Sequence, residues 1–370
     1  MSARFLTVVL ERAFNMRDGF GREIDYMRIS VIDSCNLNCY YCNPCDNNEH
    51  CHALNILSVK EVLCIVRAAT RLGIKHFRLT GGEPLLHPQL DEMVLQIKKI
   101  SGVSSVSLTT NAVLLAQHAK WLKEAGIDSI NVSLDTIDAS EYERITKKPL
   151  FEEVKHGINA AIECGIRVKI NVVLTPQTDV VALTRYVAKK GTDIRFIEMM
   201  PVGEGHTNGV EPYKKVIGTL SKLYGEPCRI NTEKTKEINS GNDKRKIPDN
   251  GPAEYYIFPE LGIRVGLIQA IHGKFCDTCN RIRVTADGRL MPCLGSSVTM
   301  DLVPDSWDFA DDVEKDFAIV RALRAAIKAK PRCHNFNDNA VTYTKTTETK
   351  TTEIEAAEVN AARNMSRIGG

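Results

Sequence analysis

From Tyr26 to Met200 the chain alternates between short runs of apolar and β-branched residues and longer stretches of helical pattern. Six of the short runs are predicted strands: Tyr26 to Ile32, His76 to Leu79, Ser104 to Thr109, Ser129 to Leu134, Arg167 to Leu174 and Asp193 to Met199. The intervening stretches carry helix start and stop signals. SVKE, from Ser58 to Glu61, reads as a capping box, and Gly73, Gly126 and Gly165 stand where C-terminal caps are expected. Repeated strand–helix units build a parallel sheet, and six of them suit a barrel or partial barrel. In such sheets the reactive groups collect at the carboxyl ends of the strands.

After Pro201 the alternation stops. Gly, Pro and charged residues rise from Thr232 to Pro252, which reads as a linker. A smaller unit follows, with the run Tyr255 to Leu267 and a helical stretch from Val313 to Ala329. From Thr342 to Glu358 the chain is rich in Thr, Glu and Lys and poor in core residues, so a flexible tail is expected before the terminal MSRIGG. The expected divisions are 1–200, 201–335 and 336–370.

Charge narrows the function classes. Lys plus Arg number 48 against 46 Asp plus Glu, spread along the chain, so neither a nucleic-acid partner nor a membrane surface is implied. The apolar run Phe5 to Leu10 is too short for an export signal, and no later run approaches the ~20 apolar residues of a spanning helix. A cytoplasmic protein is expected. Its 12 cysteines are grouped: Cys35, Cys39, Cys42, Cys45 and Cys51 crowd one loop, and Cys276, Cys279 and Cys293 form a second group. Without an export signal such groups point to metal ligation rather than disulfides. Cys64, Cys164, Cys228 and Cys333 stand alone, the first two on apolar helix faces.

The first group, CNLNCYYC, has the spacing CxxxCxxC. Three thiolates on one loop satisfy three irons of a cubane and leave the fourth open to a ligand. A structural zinc would want four ligands in paired spacings. This loop, just after the first predicted strand, resembles the hallmark of the radical S-adenosylmethionine superfamily. The resemblance implies a 4Fe–4S cluster on Cys35, Cys39 and Cys42, with the open iron taking S-adenosylmethionine for reductive cleavage to a 5′-deoxyadenosyl radical. TGGEP, from Thr80 to Pro84, resembles the motif that receives the amino group of that cofactor. By the same likeness Tyr41, Gly82, Glu83, Ser133 and Met200 are cofactor-binding positions, Tyr41 through its backbone.

The second group, FCDTCNRIRVTADGRLMPC, has the spacing CxxCx13C, again three cysteines, with His272 the ready fourth ligand if the metal were zinc. A second 4Fe–4S cluster with an open iron for a base nitrogen or oxygen accounts for three. Arg281 and Arg283 alternate in a strand-like stretch and so share a face, where guanidinium forks match phosphate oxygens. Together with the MSRIGG terminus, this run resembles the GTP 3′,8-cyclase family of molybdenum cofactor biosynthesis, from about Tyr26 to the end. Cys45 and Cys51 depart from that pattern, as do His76 and His87, which stand where Lys or Arg is common.

That resemblance implies an α/β fold, a partial (βα)6 TIM-like barrel of the radical S-adenosylmethionine type, with a smaller C-terminal domain for the second cluster on Cys276, Cys279 and Cys293. It implies GTP contacts at Arg28, Arg78, Thr109, Lys169, Arg195, Arg281, Ile282 and Arg283. It also implies catalytic roles for Arg281, Arg283, Gly369 and Gly370, with the tail inserted into the site. The cationic positions are expected to end or follow strands. The implied reaction removes H-3′ of GTP and joins C3′ to C8, giving 3′,8-cyclo-7,8-dihydro-GTP. The product would pass to cyclic pyranopterin monophosphate synthase, an external donor would supply electrons, and a homodimer is expected. Two other readings stand beside it: a peptide-modifying radical enzyme with an auxiliary cluster, and a zinc-binding regulatory or scaffold protein.

Overall fold

All six predicted strands form, within two residues of their expected bounds, in the computed structural model, which describes residues 16–42, 55–201, 210–230, 251–296, 298–302, 312–334 and 336. They are β1 (Tyr26–Ser30), β2 (His76–Thr80), β3 (Ser105–Thr110), β4 (Ser129–Ser133), β5 (Val168–Leu174) and β6 (Asp193–Glu198), each paired in parallel with the next. The alternation along each strand decides what its two faces do. Met27, Ile29, Phe77, Leu79, Val106, Leu108, Ile130 and Val132 are fully buried in the core. Each such side chain contributes about 1.5–3 kcal/mol of burial. The opposite face carries Arg28, Arg78, Thr109, Asn131, Asn171 and Arg195, and these line a cavity.

The helices between the strands are α1 (Val59–Arg71), α2 (Leu90–Lys98), α3 (Leu115–Glu124), α4 (Ala139–Thr146), α5 (Phe151–Glu163) and α6 (Val180–Lys189). The capping box is present: the Ser58 hydroxyl accepts from the Glu61 amide, and the Glu61 carboxylate accepts from the Ser58 amide at 2.7 Å. Gly73, Gly126 and Gly165 all take positive φ after their helices.

The C-terminal segment joins the same sheet at both edges. On one side β7 (Cys228–Arg229), β8 (Glu254–Ile257) and β9 (Arg264–Ile268) are added, with β9 parallel to β6. On the other, β10 (Arg281–Val284) runs parallel to β1, followed by antiparallel β11 (Arg289–Met291) and β12 (Met300–Asp301). The result is one 12-stranded mixed sheet that stays open rather than closing into a barrel. Strands β9 and β10 cover the edges that a half-barrel would leave with unpaired backbone groups. Ahead of β7, α7 (Gly218–Tyr224) extends a π-helical turn, and after β12, α8 (Asp312–Lys328) packs on α1, where Arg71 pairs with Asp316 at 2.7 Å.

Among the described residues no helix is long and apolar enough to cross a membrane. Cys45, Cys51, most of the expected linker, the stretch from Thr342 to Glu358 and the terminal Gly369 and Gly370 lie outside the described residues.

Candidate active site

A cavity of about 370 Å³ opens on the polar face of the sheet, and Cys35, Cys39, Cys42, Cys276, Cys279 and Cys293 all line it. Two sequence groups more than two hundred residues apart therefore share one chamber.

The first cysteine loop is zipped to the loop after β2. Gly82 N donates to the Ile32 carbonyl and Glu83 N to the Ser34 carbonyl, both at 2.8 Å. A Cβ on Gly82 would lie 2.2 Å from the Ser34 oxygen, and one on Gly81 would lie 2.4 Å from that of Ile32. The glycine pair is thus required by backbone meeting backbone. Gly82 lines the cavity, whereas Glu83 does not. The Glu83 carboxylate is 1% exposed and accepts from the Thr110 hydroxyl at 2.7 Å and from the amides of Asn111 at 2.7 Å and Leu85 at 3.0 Å. Burial pushes its pKa up to about 7. Its role in the fold is to hold the Asn111 loop, whose side chain donates to Asn36 at 2.7 Å and lies 3.8 Å from the Cys35 sulfur.

Tyr41, just before the last cysteine of the loop, bonds through its hydroxyl to Asp135, and Asp135 also accepts from Val173 N at 2.8 Å. This ties the cluster loop to the ends of β4 and β5, where Ser133 lines the cavity; Met200 lines it beyond β6. Burial raises the thiol of Cys35 to about 12 and that of Cys42 to about 11. Iron binding therefore has to displace protons from them. Three free thiols at one side of the chamber, with an amide beside one of them, fit a cluster that keeps an open position.

At the other side Cys276 opens a short 3-10 turn, Cys279 closes it ahead of β10, and Cys293 follows β11. Lys330, 2% exposed, locks these arms by donating to the carbonyls of Arg281 at 2.7 Å and Pro292 at 2.8 Å. Burial pushes the Cys279 thiol up, but the charges of Arg281 and Lys330 outweigh it and the net direction is down. These three free thiols also fit a cluster with an open position. His272 pairs with the Glu198 carboxylate. A different residue approaches the group: Cys333, isolated in the sequence, touches Cys276.

Between the two thiol groups lies a row of arginines. Arg283, Arg28 and Arg78 are register partners across β10, β1 and β2. Arg78 donates to the Tyr26 hydroxyl, to the Leu108 carbonyl at 3.2 Å and to Thr109 Oγ1 at 3.4 Å. Burial, then the neighbouring Arg283, holds Arg28 well below the ordinary arginine range. Burial, then Arg281, brings Arg283 down to about 10. Arginines stay charged in proteins, so these shifts mark concentrated positive charge that an anion would relieve. Arg195 Nε donates to Asn171 at 3.0 Å, while its Nη2 and the Nε of Arg281 are buried with no hydrogen-bond partner among the described residues. The acidic groups of the chamber are already engaged: Asp33 with Asn55, Asp135 with Tyr41, and Glu198 with His272.

Of the expected substrate positions, Arg28, Arg78, Thr109, Arg195, Arg281 and Arg283 line the cavity. Lys169 is 5% exposed within β5 and Ile282 is fully buried in β10; neither lines it. The cations were expected to end or follow strands, but Arg28, Arg78, Lys169 and Arg195 lie inside them, because the polar face of the curled sheet is itself the chamber floor. His76 and His87 are also absent from the lining. Sequence reasoning missed Tyr26, Asn131, Asn171 and Lys330, all of which line the cavity. For the first three the available signal was a polar residue at every second strand position.

Residues 29–182 match the Radical SAM superfamily, and residues 192–336 match the family described as Molybdenum Cofactor Synthesis C. A Clostridium perfringens (strain SM101) protein named GTP 3′,8-cyclase is 35% identical, over 87% of this chain and 95% of its own length. A Peptoclostridium acidaminophilum protein of the same name is 37% identical, over 87% of this chain and 94% of its own length. Among solved structures, Streptococcus suis SuiB bound to its precursor peptide SuiA superposes with a TM-score of 0.54 at 15% identity, over 87% of this chain and 70% of that one. At that identity the likeness concerns the fold alone. The chain belongs to the GTP 3′,8-cyclase family of radical S-adenosylmethionine enzymes, which use a 4Fe–4S cluster and S-adenosylmethionine.

Proposed function

We propose that this chain is a GTP 3′,8-cyclase acting in the first step of molybdenum cofactor biosynthesis. The observation that carries the reading is the arrangement of the chamber: two three-thiol groups and a row of register-paired arginines on one cavity. Held by Cys35, Cys39 and Cys42, a 4Fe–4S cluster would supply the electron that cleaves S-adenosylmethionine to a 5′-deoxyadenosyl radical. Gly82, Ser133 and Met200 line the chamber on the side where that cofactor is assigned.

The rest of the chemistry is positioning. Arg283, Arg28 and Arg78, with Arg195 and Arg281, bind the triphosphate, because five guanidiniums facing one cavity match a polyanion rather than a neutral peptide. Thr109 and Asn131, register partners on β3 and β4, offer hydroxyl and amide contacts to the sugar. Cys276, Cys279 and Cys293 would hold the second cluster, which would offer an open iron to a nitrogen or oxygen of the base. Bond formation between C3′ and C8 is completed by one electron from an external donor and one proton. Catalytic roles for Gly369 and Gly370, which lie outside the described residues, belong to this reading by family resemblance. The reading includes a cytoplasmic homodimer that passes its product to cyclic pyranopterin monophosphate synthase.

The test is anaerobic turnover by the reconstituted protein with dithionite and GTP, ATP or no nucleotide. The expected result is 5′-deoxyadenosine formed several-fold faster with GTP, alongside a new compound of the same mass as GTP. Formation indifferent to the nucleotide would leave the radical core and remove GTP as the substrate.

A further inference from the structure

In sequence Cys333 stands apart from both cysteine groups, yet in the fold its Sγ lies 3.4 Å from that of Cys276. The contact is built rather than incidental. Arg22, 8% exposed, donates from Nη1 to the carbonyls of Cys276 at 2.7 Å and Arg332 at 3.0 Å, and from Nη2 to that of Pro331 at 2.7 Å. Its Nε pairs with buried Asp18 at 2.5 Å, so the clamp is itself fixed. One guanidinium thus holds the segment bearing Cys276 against the segment bearing Cys333. On the other side Lys330 ties the same segment to the carbonyls of Arg281 and Pro292, and His334 Nε2 bonds the Ala270 carbonyl at 2.8 Å.

We propose that Cys333 is a standby ligand of the second cluster, able to take the iron corner that Cys276 otherwise holds. The spacing fits one shared corner. A sulfur 3.4 Å from that of Cys276 reaches the same iron by a small shift, whereas ligands of different irons in a cubane are held farther apart by the cluster itself. Cys333 does not line the cavity, so it approaches that corner from the protein side and leaves the open iron to the nucleotide. The exchange is redox-neutral: the Cys333 thiol gives up its proton as its sulfur binds iron, and the Cys276 thiolate takes a proton as it leaves. The inference rests on the assignment of Cys276, Cys279 and Cys293 to a second cluster and is independent of which nucleotide the enzyme uses.

The test counts iron and sulfide in the full-length protein reconstituted anaerobically, with electron paramagnetic resonance of the reduced clusters. Wild type, Cys333→Ala and Cys276→Ala are expected to hold about eight irons per chain, and Cys276→Ala/Cys333→Ala and Cys279→Ala about four. The signal of the second cluster should shift in Cys276→Ala. A Cys276→Ala protein that drops to about four irons while keeping the signal of the first cluster would overturn the proposal, as would one zinc per chain at these cysteines in the wild type. A second comparison avoids the ligand substitutions: under a chelator, Cys333→Ala should lose second-cluster iron several-fold faster than wild type, and equal rates would also overturn it.

Discussion

Arg28 and Arg283 are register partners on adjacent parallel strands, Arg283 buried and Arg28 partly buried, with both side chains in the same cavity. Two like charges held side by side and partly shielded from water oppose folding unless an anion joins them. The row they begin, continued by Arg78, is a site that stores positive charge for its ligand.

Replacing Arg28 by Met should therefore weaken GTP binding by about 10- to 100-fold, the range of one or two charge-assisted hydrogen bonds. Both clusters and S-adenosylmethionine binding should be retained. Anaerobic titration calorimetry checks this; unchanged GTP affinity would take Arg28 out of the phosphate site.

Gly82→Ala should cost the first cluster and spare the second. The added Cβ would stand 2.2 Å from the Ser34 carbonyl oxygen, so the loop that presents Cys35 has to move. Iron should fall from about eight to about four per chain. A variant with full iron content would mean that the two loops separate without disturbing the ligands.

Asn111→Leu should make the first cluster harder to reduce. Its amide lies 3.8 Å from the Cys35 sulfur, and hydrogen bonds to cluster sulfurs raise the reduction potential. A redox titration followed by electron paramagnetic resonance is expected to show a more negative midpoint for that cluster, and an unmoved midpoint would deny the contact any electronic role.

Glu83 gives a pH dependence with a definite sign. Its folded pKa of about 7 lies above the ordinary value of 4.5, so folded protein keeps a proton that unfolded chain has lost. The stability this contributes is complete below about pH 4.5 and is lost as pH rises through about 7, a change of about 3 kcal/mol. Glu83→Gln lacks that titration. Across pH 5 to 8 the melting temperature of the wild type should fall relative to that of the variant, and a constant gap would show that Glu83 is ionised throughout.

The strands and helices of the first two hundred residues were legible because their signals are local: apolar alternation, a capping box at Ser58, and glycines at Gly73, Gly126 and Gly165. The six cavity cysteines were legible from spacing. The edge strands were not, since the pairing of β10 with β1 and of β9 with β6 joins distant segments that carry no mark of their partner. Arg22 illustrates the same limit: an arginine near the start of the described chain holds two carbonyls more than three hundred residues away, at Pro331 and Arg332. Glu83 was read from its motif as a cofactor contact, and only packing reveals that its two oxygens are engaged by Leu85, Thr110 and Asn111.

The most direct test uses GTP carrying deuterium at C3′, with unlabelled S-adenosylmethionine and the reconstituted protein under reducing, anaerobic conditions. Mass spectrometry of the 5′-deoxyadenosine should show one deuterium transferred. 5′-Deoxyadenosine formed without deuterium, while GTP is consumed, would contradict hydrogen removal from C3′ and with it the proposed reaction.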